Sequence, residues 1–118
     1  MSTLRVNTLQ DATGSNQPAM AGAAKAWVNF NGTGTVAIRE SFNVSSITDN
    51  ATGNYTVNFT NAMSDTNYVA VASSHNSGVA SAIANFVGTR TTSSDRLFTY
   101  NTAGSLQDCS VNDVAIFR

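Results

Sequence analysis

Ala26-Trp27-Val28-Asn29-Phe30 and Tyr55-Thr56-Val57-Asn58-Phe59-Thr60 are the two stretches on which the fold turns. Ala26, Val28 and Phe30 share one parity of the first, and Tyr55, Val57 and Phe59 share one parity of the second. A period of two is that of an antiparallel strand with one face in a core and one outside it. Asn31-Gly32 follows the first run and Asn50-Ala51-Thr52-Gly53 precedes the second, residues that accept the positive φ of tight turns.

Working outward, the same alternation predicts strands near 24–30, 34–39, 42–48, 54–60, 67–75, 79–88, 96–101 and 111–117. Short strands at this spacing, separated by Asn, Gly, Ser and Asp, predict an all-β fold, an antiparallel β-sandwich of jelly-roll-like type. In Phe42-Asn43-Val44-Ser45-Ser46-Ile47 the apolar parity changes between Val44 and Ile47, which predicts a bulge at the two serines. Residues 79–88 fit either period: Val79, Ile83, Phe86 and Val87 also suit a helix, but the all-β surroundings and the flanking Gly78 and Gly88 favour a strand.

Residues 1–24 read as an N-terminal arm and linker, and 25–118 as the sandwich domain. Leu4-Arg5-Val6-Asn7-Thr8-Leu9 alternates like one short strand, whereas Gln10 to Ala24 has no period and contains Gly14, Pro18 and Gly22. A lone six-residue strand needs a sheet to pair with, so Leu4, Val6 and Leu9 are the candidate docking residues of the arm, unless the arm is simply an edge strand of its own domain.

The chain has 118 residues, room for one domain. Leu, Ile, Val and Phe make up about a fifth of it, and much of the remaining apolar content is small Ala, so the core is expected to be thin. Domains of this kind gain stability by sharing buried surface between copies, and self-association is expected. Charged residues are only 11% of the chain and the net charge is −1. The six cations, Arg5, Lys25, Arg39, Arg90, Arg96 and Arg118, form no stripe, which argues against nucleic acid as a partner. No apolar run has membrane-span length, and Met1-Ser2-Thr3-Leu4-Arg5 lacks a signal-peptide core, so synthesis in the cytoplasm without membrane insertion is expected. Five Asn-X-Ser/Thr triplets follow from an Asn- and Thr-rich composition.

Catalytic signals are sparse. His75 is the sole imidazole, and the serines beside it alternate across a strand in a way that builds no triad with Asp65. It is expected to end a strand before the Asn76-Ser77-Gly78 turn as an exposed or interface hydrogen-bonding group. The six Asp residues mostly stand next to turn formers and read as caps of their own backbone rather than as a glycosidase pair with Glu40. Asn31-Gly32-Thr33-Gly34-Thr35 lacks a following Lys and opens a strand, so it is no phosphate loop. Cys109 is alone and reads as a small buried hydrophobe; no metal and no cofactor are expected. Candidate contact residues for a partner or a host-surface glycan are Trp27, His75, Arg90, Asp95, Arg96 and Tyr100. Trp27 falls on the face opposite Ala26 and Val28 and is expected to be buried under a second sheet or covered by another subunit. Left partly open, its ring would be a platform for a sugar or a side chain.

The stretch KAWVNFNGTGTVAIRESFNVSSITDNATGNYTVNFT, Lys25 to Thr60, closely resembles a module of bacteriophage tail-fibre and related short virion structural proteins, especially those of marine and cyanophage type. LRVNTLQDATGS, Leu4 to Ser15, is similar to the segment that precedes that module. The resemblance weakens after Val79. It implies a non-enzymatic virion protein, a homotrimeric fibre or fibre-tip module that attaches to another virion protein through the arm and touches the host surface with distal loops. The alternative is a capsid decoration protein that stabilises the head shell, since the chain has neither a long shaft nor a large adaptor before the module.

Overall fold

A computed structural model of the chain describes residue 3, residues 23–76 and residues 82–118. The expected arm residues Leu4, Val6 and Leu9 lie outside the described residues, as does the start of the expected 79–88 strand. The described residues form eight strands: β1 (Ala24–Asn31), β2 (Ala37–Phe42), β3 (Val44–Ala51), β4 (Asn54–Phe59), β5 (Val69–His75), β6 (Ala82–Phe86), β7 (Ser94–Asn101) and β8 (Val111–Phe117). They make two antiparallel four-stranded sheets, sheet A in the order β2-β1-β8-β5 and sheet B in the order β3-β4-β7-β6. The β1–β2, β3–β4 and β6–β7 connections are hairpins within a sheet, so the jelly-roll likeness stops at eight antiparallel strands shared equally between two layers.

The decisive stretches face each other across the layers. Ala26, Val28 and Phe30 of β1 and Tyr55, Val57 and Phe59 of β4 are all buried, joined by Leu97 of β7 and by Val114 and Ile116 of β8. The Phe30 and Tyr55 rings meet edge to face at 5.2 Å between centroids, an arrangement that brings the positive ring edge onto the negative ring face. Below them Phe59 and Tyr68 do the same at 5.8 Å. The bulge expected at the serines is present, as a register shift between Val44 and Ser46 that lets both Val44 and Ile47 face inward. Residues 82–86 are strand and not helix.

Turn chemistry partly follows the sequence. Gly53 adopts φ +62° at the β3–β4 turn, where a Cβ would strike the Thr99 carbonyl. In the β1–β2 hairpin the positive φ falls at Gly34, not at Gly32 as Asn31-Gly32 implied. The chain changes sheets between β2 and β3 at Asn43, which takes φ 55°. Its amide nitrogen donates to the carbonyls of Lys25 (3.0 Å) and Asn61 (3.1 Å), while its Oδ1 accepts from the Asn61 N–H (2.7 Å). Asn tolerates this backbone region better than other residues that carry a Cβ, and its side chain ties the two sheets together there.

Candidate functional site

Strand alternation that buries Ala26 and Val28 sends Trp27 to the outer face of sheet A. Sheet B packs on the other side, so the expected burial of Trp27 beneath a second sheet is overturned: its side chain is 38% exposed. The strand register builds a row across all four strands, Phe42 (52% exposed) opposite Trp27, Trp27 opposite Ala115, and Ala115 opposite Val71 (49% exposed). One pleat away Val69, 58% exposed, stands opposite Phe117. Four of the large apolar residues exposed among those described therefore share one face, whereas Ile83, Val87 and Leu106 lie outside sheet A. Contiguous exposed apolar surface of this kind marks a contact surface.

A polar row runs beside this belt: Glu40 opposite Asn29, Asn29 opposite Asp113, Asp113 opposite Ser73. Asn29 Nδ2 donates to Asp113 Oδ1, and Arg39 donates to Asn29 Oδ1 (3.4 Å) and to the Ser110 carbonyl (2.6 Å). Between the belt and this row is a depression of about 530 Å³, lined by Trp27, Asn29, Val71, Ser73, Asp113 and Ala115. His75 ends β5, exposed and on the same face as Ser73. A triad would need the imidazole between a serine and a carboxylate. Here the neighbouring carboxylate, Asp113, is turned to Asn29 instead. Among the described residues no group of three or more His, Cys, Asp or Glu side chains is placed to hold a metal ion, and no helix is long and apolar enough to cross a membrane.

The remaining candidate residues lie apart from this face. Asp95 points into the sandwich, 3% exposed, and accepts from Arg90 Nε at 2.9 Å and from the Arg96 N–H at 2.9 Å. Burial pushes its carboxyl up from the ordinary value despite those donors. Arg90 also donates to the Tyr68 carbonyl (2.7 Å), and its guanidinium sits 4.4 Å from the Tyr68 ring centroid. Burial, with the nearby Asp95 charge adding to it, pushes the Tyr68 hydroxyl up to about 12. Arg90 and Asp95 thus form a structural ion pair at the flank of the core, held by a cation–π contact. Thr91, Ser93 and Ser94 close the turn beside them. Arg96 and Tyr100 face outward on sheet B, Arg96 opposite Thr56 and Tyr100 stacked with Phe98 at 6.4 Å.

Two buried features, Asn112 and the Tyr55 hydroxyl, carried no clear signal in the sequence. Asn112 is fully buried, donating to the carbonyls of Phe30 (3.3 Å) and Cys109 (2.9 Å) and accepting from Ser74 Oγ (2.8 Å). The Tyr55 hydroxyl lies 2.9 Å from the Gly32 carbonyl and 2.7 Å from Asp108 Oδ1, and burial pushes its ionisation well up. Cys109 is buried and unpaired, as its isolation implied, and burial raises its thiol pKa. The belt was only half legible: Trp27 was visible, but Val69 and Val71 look like core residues until the topology puts them on the outside of β5. No protein-family model matches the chain, and no curated protein or solved structure matches it either.

Proposed function

We propose that the chain is a non-enzymatic structural protein of a bacteriophage particle, a homotrimeric fibre or fibre-tip module. Its copies pack through the outer face of sheet A. The observation that carries this reading is the Phe42–Trp27–Ala115–Val71 belt, an apolar stripe crossing an entire sheet of a chain whose own core is thin. A second copy covering the belt adds the apolar burial that the sandwich lacks alone. The Lys25–Thr60 resemblance supports the virion assignment and the number three. The loops at the ends of the sandwich are left for contact with a host surface, where three weak contacts act together.

The experiment has two parts. Analytical ultracentrifugation of the purified chain is expected to give a trimer that Trp27→Asp converts to monomer; a folded wild-type monomer at micromolar concentration defeats the proposal. Labelling of intact particles is then expected to find a few trimers at the tail. Copies by the hundred spread over the head would replace the fibre with capsid decoration.

A further inference from the structure

Sheet B carries an aromatic row of its own, set among polar groups that nothing in the sheet satisfies. The parity that turns Asp95, Leu97 and Thr99 of β7 inward turns Arg96, Phe98 and Tyr100 outward. The Phe98 and Tyr100 rings lie within 19° of parallel, with centroids 6.4 Å apart. Phe98 stands between two amides, opposite Asn54 of β4 and Asn85 of β6. Tyr100 stands opposite Ile83, 46% exposed, and bridges to Leu106, 43% exposed, on its other side. Arg96 is at the opposite end of the row, across from Thr56.

Hydrogen bonding divides this face in two. On β3 and β4 the outward amides and hydroxyls bond to one another. On β6 and β7 the Asn85 amide and the Arg96 guanidinium have no hydrogen-bond or ion-pair partner among the described residues; what Arg96 gives Asp95 is a backbone N–H. Arg39, Arg90 and Arg118, by contrast, are each held by a carbonyl or a carboxylate. No strand of sheet B sets an acidic side chain outward beside Arg96: Asp95 is turned into the sandwich, and Asp49 shares the parity of Ile47, opposite buried Tyr55.

We infer that the outward face of β6 and β7 binds a saccharide bearing a carboxylate, with Phe98 and Tyr100 as the stacking surface and Arg96 as the anchor for the acid. A pyranose has an apolar face of C–H groups and a rim of hydroxyls, so it fits an aromatic surface edged by side chains that both donate and accept. Phe98 flanked by Asn54 and Asn85 is such an arrangement, since an amide does both. A guanidinium takes a carboxylate through two parallel N–H bonds. With no acid beside it to compete, the Arg96 charge selects an acidic sugar over a neutral one. Size argues against a protein partner. β6 and β7 together are about 10 Å wide and, over the five residues of β6, about 17 Å long. That is far below the area of about 800 Å² per partner that a stable protein interface covers. The inference rests on the host-surface contact proposed above, which it moves from the loops to a sheet face, but not on self-association, because the belt lies on the other side of the sandwich.

The test titrates the isotope-labelled full chain, followed by its amide spectrum, with trigalacturonate, neutral galactotriose and tetraglutamate. Trigalacturonate is expected to shift the amides of Ile83, Asn85, Arg96, Phe98 and Tyr100 and to leave those of Trp27 and Val71 in place. Galactotriose is expected to bind the same residues about tenfold more weakly, for want of the charge-assisted pair. Arg96→Gln and, separately, Thr56→Asp, which sets a carboxylate opposite Arg96, are expected to weaken trigalacturonate about tenfold and to leave galactotriose unchanged. Equal affinity for the two sugars overturns the acid anchor. Tetraglutamate binding as tightly as trigalacturonate overturns the saccharide in favour of an acidic peptide, and no shift along the row with any of the three overturns the site. Sedimentation separates this inference from the assembly: a trimer that binds no saccharide loses the site and keeps the belt, whereas a monomer that binds trigalacturonate keeps the site and loses the belt.

Discussion

The outer face of sheet A and the β3–β4 half of the outer face of sheet B are made by the same strand alternation and finished in opposite ways. On sheet A the outward positions hold Phe42, Trp27, Val69 and Val71. On the β3–β4 half of sheet B they hold Ser46, Thr48, Asn50, Asn54, Thr56 and Asn58, whose side chains bond to one another. Asn58 Nδ2 donates to Ser46 Oγ (3.1 Å) and Thr48 Oγ1 (2.9 Å), and Asn50 Nδ2 donates to Thr56 Oγ1 (2.8 Å). A lattice of this kind spends its hydrogen bonds within itself and offers little to a partner beyond what water takes up. The apolar belt has no such internal satisfaction and gains from being covered. The contrast is between an apolar strip that crosses sheet A and a polar half-face that satisfies itself; the β6–β7 half of sheet B, with Ile83 opposite Tyr100 and Tyr100 stacked on Phe98, belongs to neither description.

The largest effect that tests the contrast is on assembly. Trp27→Asp is expected to weaken self-association by about 2–4 kcal/mol, as for a central aromatic anchor, when measured by sedimentation equilibrium. Thr56→Asp on sheet B is expected to change it by less than about 0.5 kcal/mol. Equal responses would erase the distinction between the faces. Tyr55→Phe tests the interior common to both sheets. Losing the hydroxyl leaves Asp108 Oδ1 and the Gly32 carbonyl without that donor, and is expected to cost about 1–3 kcal/mol of stability in urea unfolding. Association of the folded fraction should be unchanged. Asn58→Ala removes two links of the sheet B lattice and is expected to cost about 0.2–1 kcal/mol, with no effect on assembly.

The smallest effect concerns the charged rim, which belongs to neither face. Arg118 donates to both carboxylate oxygens of Asp65, at 2.9 and 2.7 Å, and holds its carboxyl below the usual value. The pair's contribution is therefore present above the ordinary Asp value of about 3.9 and is lost as pH falls through the lower folded-state value. Asp65→Asn should flatten the acid limb of the stability curve slightly, and added salt should shrink the difference, because the pair is exposed. A thermal-melt series from pH 2 to pH 6 at two salt concentrations measures both.

Much of the architecture was legible because period two is a local property. Tyr55, Val57 and Phe59 announce their burial within six residues, and the parity break at Ser45-Ser46 announces its own bulge. What a local pattern leaves open is which sheet lies over which face. Parity sets Trp27 opposite the core residues of β1, but only the packing of sheet B on the other side shows that no second sheet covers it. Arg90 and Asp95 have the look of a solvated hairpin tip, since nothing nearby in sequence indicates Tyr68, whose ring and carbonyl draw Arg90 inward across 22 positions. Asn112 was equally hidden: its partners Phe30 and Ser74 come from strands far away in the chain.

The amide and hydroxyl lattice on sheet B has a consequence for the medium the protein tolerates. A coat that stays dissolved through dipoles has almost no field for dissolved ions to mask. Its solubility should differ little between fresh water and brine, where proteins that rely on mutual repulsion of like charges lose that protection.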